Sequence, residues 1–215
     1  VPCCLDCNLE LGKIYEKPLS ILFSKNYNEI LDDIRQNPKI VQLIFKWLSI
    51  IFLKTHLKDK SLFYERDRRI DSGYLADNYY WEDIHHIHCV ARSHYSKAKL
   101  DSNVYGTVLI FPNIVNDEYG GFDYIDSHSG KGVMLQLSEF SIIAVLNDSC
   151  AGYTFFRERL EKINGSLSPF QLREIVAHMN FINLHLKERP IFYSSIKANG
   201  DYIMKADLPK ILQLV

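Results

Sequence analysis

Apolar and polar positions give the chain two characters. Tyr27, Ile30, Leu31 and Ile34 recur at helical spacing after Asn26. Asn37-Pro38 breaks that helix and predicts the start of the next, with the asparagine as N-cap and the proline at the first helical position. The run 39–57 is apolar around most of its circumference, which predicts a helix at the centre of a helical layer. Its richest part, 40–53, is interrupted by Gln42, Lys46 and Ser49 and falls short of the roughly 20 apolar residues of a membrane span. A buried helix is the expectation. From about Ile84, short β-prone runs alternate with turn signals. Strands are predicted at 88–93, 104–111, 122–126, 132–137 and 140–147, with Gly120-Gly121 and the segment 129–132 as turns. A helix over 153–163 should be closed by Asn164-Gly165. Ser168, Pro169 and Gln171 form a capping-box start for a last long helix. Its apolar face is Leu172, Ile175, Val176, Met179, Ile182 and Leu186, and Arg189-Pro190 should end it.

The expected fold class is α+β: a helical N-terminal half, then an antiparallel sheet with C-terminal helices. Three regions follow: an opening motif (1–17), a helical region (18–83) and a sheet-plus-helix region (84–215). There is no glycine-rich dinucleotide fingerprint, no P-loop and no nucleophile elbow.

Composition narrows the partners. Hydrophobic residues make up 47% of the 215 and charged residues 24%, which excludes a disordered chain. Twenty-five basic and 26 acidic side chains leave a net charge of −1, so nucleic acid can be held only by a local patch. The candidates are Lys58, Lys60, Arg66, Arg68 and Arg69, beside Phe63 and Tyr64, where phosphate contact and base stacking would combine. A solvated helix end is the plainer alternative. The five cysteines are an odd number, and Cys3, Cys4 and Cys7 crowd together. This pattern suits a reduced, cytoplasmic chain with a metal site better than a secreted disulfide framework. No signal peptide and no membrane segment are read, so no membrane partner is expected.

The opening string VPCCLDCNLELG is the most informative. Cys4 and Cys7 have C-x-x-C spacing, which lets two thiolates reach one tetrahedral Zn²⁺ from a tight turn. A structural zinc needs two further ligands. Asn8 follows the second cysteine directly.

This string resembles the second half of an HNH (His-Me finger) endonuclease motif of the zinc-bearing branch, roughly V-P-x-C-x-x-C-N, which opens the helix of a ββα unit. The resemblance covers about a dozen residues. It implies Cys4 and Cys7 as ligands of a structural Zn²⁺, and Asn8 as ligand or orienter of a catalytic Mg²⁺ or other divalent cation. It implies phosphodiester hydrolysis, with DNA as partner and a histidine general base on an upstream strand. That half is absent from residues 1–215, so it is expected before Val1. Glu16 lies on the following stretch without a firm motif position. The competing expectation is a non-catalytic protein-interaction or nucleic-acid-binding subunit of a larger complex.

Other constellations are weaker. WEDIHHIHC (81–89) holds three histidines, two acids and a cysteine. As a strand it would put His86 and His88 on one face, with Glu82 and Asp83 to orient them and Cys89 opposite. These histidines could complete a zinc site with Cys4 and Cys7, or be ordinary strand residues. Asp123, Asp126 and His128 could do acid–base work or hold a metal, or cap a solvated hairpin. A metal hydrolase built on His86, His88, Asp126 and His128 is a third reading. Cys150 follows Asp148 and Ser149 at a strand–helix junction, where a thiol can be a nucleophile or simply buried. His178 and His185 share a helix face at a spacing that carries little.

Overall fold

The computed structural model describes residues 5–67, 69–115 and 121–215. It is α+β, with two sheets. Helix α1 (Leu5–Leu11), a π-helical turn (Gly12–Glu16) and α2 (Lys17–Phe23) run on without a break. The π turn has a cause in Pro18. Proline cannot donate to the carbonyl four residues back, and its ring crowds that carbonyl. Widening the preceding turn, with the Lys17 N–H reaching the Gly12 carbonyl, relieves both. Helix α3 (Tyr27–Gln36) starts on a capping box in which Asn26 and Glu29 exchange hydrogen bonds. Helix α4 (Lys39–Lys58) follows, and the Asn37 side chain accepts from the Lys39 N–H.

The larger sheet is antiparallel, in the order β2 (Val108–Pro112), β5 (Phe140–Val145), β4 (Gly132–Leu137), β3 (Phe122–Ser127). It is covered on both faces. Val133, Leu135, Ile142 and Ala144 meet α2, α3 and α4 through Leu19, Ile30, Ile44, Phe45, Leu48 and Phe52. The alternate residues Leu109, Phe111, Met134, Ile143 and Val145 meet α6 (Ala151–Leu160) and α7 (Pro169–Leu184) through Phe156, Leu172, Ile175, Val176 and Met179. That is why β5 reads as a nearly continuous apolar run, interrupted by the buried Ser141, rather than an alternation.

The same logic explains α4. One side lies on the sheet. The other carries Leu43, Trp47, Ile50 and Leu53 against Leu11, Tyr15 and Ala91. By length and composition alone the run Lys39–Ser61 could cross a membrane. Here its Ile44, Phe45, Leu48 and Phe52 are at most 1% exposed, in the core.

The expectations need four corrections. The predicted strand 88–93 is helical, inside α5 (His85–Ser96). Its buried residues Ile87, Val90 and Ala91 follow helical spacing, and the His/apolar alternation of 86–89 is incidental. The strand predicted from Val104 begins only at Val108, because 102–104 form a 3₁₀ turn and Gly106 abuts the backbone of Val145. Helices α6 and α7 end three and four or five residues early, and Gly165 sits in the loop beyond α6 rather than at its end. The fourth concerns the stretch after Arg189-Pro190, where no element is predicted: β6 (Ile191–Ile196) and β7 (Tyr202–Asp207) form a hairpin, and β1 (Lys99–Leu100) joins β7 in parallel.

Candidate functional site

The opening motif lies at one end of α5. Cys7 and Asn8 are on α1, Cys7 half-buried and Asn8 exposed. Cys4 lies outside the described residues. The Tyr95 hydroxyl donates to the Cys7 carbonyl at 3.4 Å, and His94 Nε2 stands 2.8 Å from Glu10 Oε1. These contacts fix α1 on the last turn of α5. His86 is nine residues before Tyr95, about 13 Å along a helix axis. The structure therefore does not bring Cys7 together with His86 and His88. On a helix, residues two apart also face away from each other, so His86 and His88 do not share a face. Glu16 is exposed at the end of the π turn.

The basic residues gather around the excursion after α4. Its ends are tied by the Phe63–Tyr74 bridge, with Tyr64 N–H donating to the Gly73 carbonyl. Phe63 and Tyr74 stack at 5.0 Å, and Tyr64 is 60% exposed. Lys60 holds its ammonium 4.1 Å over the Trp81 ring. Arg69 forms a fork with Asp67, which holds that carboxyl below its usual range. Lys58 ends α4, Arg66 lies in the excursion, and Arg68 is outside the described residues.

The WEDIHHIHC segment makes a pocket of about 290 Å³. A 3₁₀ turn supplies Glu82 and Asp83, α5 supplies His85, His86 and Cys89, and Asn147, Arg189, Phe192 and Met204 close it. His85 and Cys89 are one helical turn apart, with Nε2 and Sγ separated by 3.5 Å. Burial raises the Cys89 thiol above its usual range, with Arg92 pulling weakly the other way. The thiol is thus protonated near neutral pH and is not an activated nucleophile. His86 is 9% exposed and stacks on Phe192 with ring centroids 3.5 Å apart. Burial lowers its pKa to about 4, so the ring is neutral. The Val104 backbone beside it only partly offsets the burial. His88 is lowered by burial, then by Arg92 and His85.

A second polar cluster joins the end of α4 to β3, adding His56, Asp59, Tyr79 and Tyr124, which the sequence does not single out, to Asp126 and His128. His56 Nδ1–H donates to the Phe52 carbonyl at 2.8 Å and turns Nε2 toward Asp126, 3.9 Å away. Tyr124 donates to the other Asp126 oxygen at 2.7 Å, and Tyr79 donates to Asp59 at 2.7 Å. His128 stacks on Tyr79, and burial followed by Lys131 and His56 lowers its pKa to about 4. Asp123 is held elsewhere, by Arg173 at 2.6 Å. Apart from His128 Nε2, which is buried without a hydrogen-bond partner, these groups satisfy one another across a packing seam. Among the described residues, no three His, Cys, Asp or Glu side chains come together to hold a metal, so His86, His88, Asp126 and His128 form no joint centre.

Asp148 is fully buried and organises the turn into α6. The Cys150 thiol beside it is raised to about 11 by burial and then by Asp148, which removes it as a nucleophile. His178 faces Glu174 at 3.8 Å, and His185 is occupied by the Phe181 carbonyl and ring. No protein-family profile, no curated protein and no solved structure matches the chain.

Proposed function

We propose that the chain is the C-terminal portion of an HNH-type, metal-dependent endonuclease that hydrolyses DNA. The observation that supports this reading most is the position of Asn8. It lies exposed in the middle of α1, directly after the C-x-x-C pair. In this reading Cys4 and Cys7 hold a structural Zn²⁺ through thiolates, and Asn8 offers an amide oxygen to a hard divalent cation. The cation supplies charge neutralisation at the phosphate and leaving oxygen. A histidine-bearing strand N-terminal to Val1 completes the site as general base. The Lys58, Lys60, Arg66 and Arg69 region, with its exposed aromatic rings, would lie along the DNA backbone. Cleavage of supercoiled plasmid by the protein with its upstream residues, compared with Asn8→Ala, tests the assignment.

A second reading, a non-catalytic interaction subunit, draws on the outer face of α6 and α7. Phe170 is 81% exposed and Phe181 54%, and Phe155, Phe156, Phe181 and Leu214 line a groove between them. A stable partner co-purifying with the protein, together with no cleavage by the extended chain, would favour it.

A further inference from the structure

We propose that His85 and Cys89 form a two-residue chelate for a borderline-soft divalent cation of the Zn²⁺ class, separate from any zinc on Cys4 and Cys7. Three observations carry it. The first is distance. Ligand bonds of about 2.0–2.1 Å to imidazole nitrogen and about 2.3 Å to thiolate sulfur, spread at a tetrahedral angle, put the two donor atoms about 3.5 Å apart. His85 Nε2 and Cys89 Sγ stand 3.5 Å apart. The second is the scaffold. The pair occupies successive turns of α5, so one rigid helix sets the bite without loop rearrangement. The third is the surroundings. Both side chains line the 290 Å³ pocket, where the carboxylates of Glu82 and Asp83 outnumber the single guanidinium of Arg189.

Binding is balanced simply: the Cys89 S–H proton is released to solvent as the sulfur–metal bond forms, and His85 binds through neutral Nε2. The remaining coordination positions are left to water or to a polar group entering the pocket. Two protein ligands make this an open, exchangeable site, unlike a closed four-ligand structural zinc. The inference does not depend on the nuclease reading.

The test uses Co²⁺ as a spectroscopic stand-in for Zn²⁺ on a Cys3→Ser, Cys4→Ser, Cys7→Ser protein, which removes the opening thiols. One equivalent of Co²⁺ should produce a thiolate-to-metal charge-transfer band. Cys89→Ser should abolish the band, His85→Ala should weaken binding at least tenfold, and Cys150→Ser should leave it unchanged. A missing band, or one that survives Cys89→Ser, overturns the proposal. A second measurement needs no variant: Zn²⁺ should slow alkylation of Cys89 in the unaltered protein, read by peptide mass, while Cys150 reacts at its metal-free rate. Equal alkylation of Cys89 with and without Zn²⁺ overturns it as well.

Discussion

Asp148 accepts two hydrogen bonds from one residue, the Thr107 N–H at 2.8 Å and the Thr107 hydroxyl at 2.6 Å. It also accepts from the N–H groups of Cys150 and Gly152, so one buried carboxylate ties the approach to β2 to the start of α6. Asp148→Ala would strand several buried donors and should cost roughly 3–5 kcal/mol. Asp148→Asn keeps one acceptor oxygen and should cost about half as much. Urea denaturation reads both, and equal losses in the two variants would refute the multi-donor role.

Gly106 makes a closer approach than any other side chain would permit. A Cβ at this position would stand 1.9 Å from the Val145 carbonyl oxygen and 2.8 Å from Asp148 Oδ1. Gly106→Ala should therefore lose about 3 kcal/mol, because the first obstacle is backbone and cannot rotate away. Gly165→Ala is the control, since its Cβ would meet nothing within 4 Å. Its cost should be confined to its positive φ. Similar melting temperatures for the two variants would contradict the packing argument.

His86 predicts how stability depends on acid. Its pKa falls from 6.5 in an open chain to about 4 in the fold, so the unfolded chain binds the extra proton between those values. Stability is complete above about 6.5 and declines as pH falls toward about 4. The loss from this group is up to ~3 kcal/mol at 1.36 kcal/mol per unit. His128 acts with the same sign and is less enclosed. His86→Phe keeps the ring on Phe192 and should flatten the slope across this window. An unchanged slope, measured by denaturation from pH 7 to 4.5, would refute the assignment.

On the nuclease reading, the basic excursion carries DNA contact and predicts its salt dependence. Lys60→Ala and Arg66→Ala should each lower the slope of log K against log salt by about 1 and weaken all sequences alike. Arg69→Ala should do less, because Asp67 already engages its guanidinium. Slopes unchanged in the first two variants, or no binding by the unaltered protein, would refute a DNA role for this excursion.

Much of the fold was legible where local signals and packing agree. Ser168 and Gln171 form the capping box their spacing announces, and the predicted face from Leu172 to Ile182 is buried against the sheet. The strands around the 129–132 turn pair in register, from Ser127 with Gly132 to Phe122 with Leu137. The segment 85–96 misled because alternating histidines imitate a strand, while its helical signal lay in the less conspicuous Ile84, Ile87, Val90 and Ala91. The β6–β7 hairpin was missed because its pattern is mostly exposed on β6. Of the candidate site, the spacing of Cys7 and Asn8 was visible at once. The pocket was not, because residues 82–89 meet Asn147, Arg189 and Phe192 only through tertiary packing. The His85–Cys89 pair could have been found from its i, i+4 spacing, had the segment been read as a helix.

The most direct test of the nuclease account is Mg²⁺-dependent nicking of supercoiled plasmid by the protein carrying its upstream residues. The account predicts nicking that chelation abolishes and that Asn8→Ala lowers by at least a hundredfold, with the variant still folded by circular dichroism. Undiminished Mg²⁺-dependent nicking by folded Asn8→Ala, or no nicking by the unaltered protein, would contradict it.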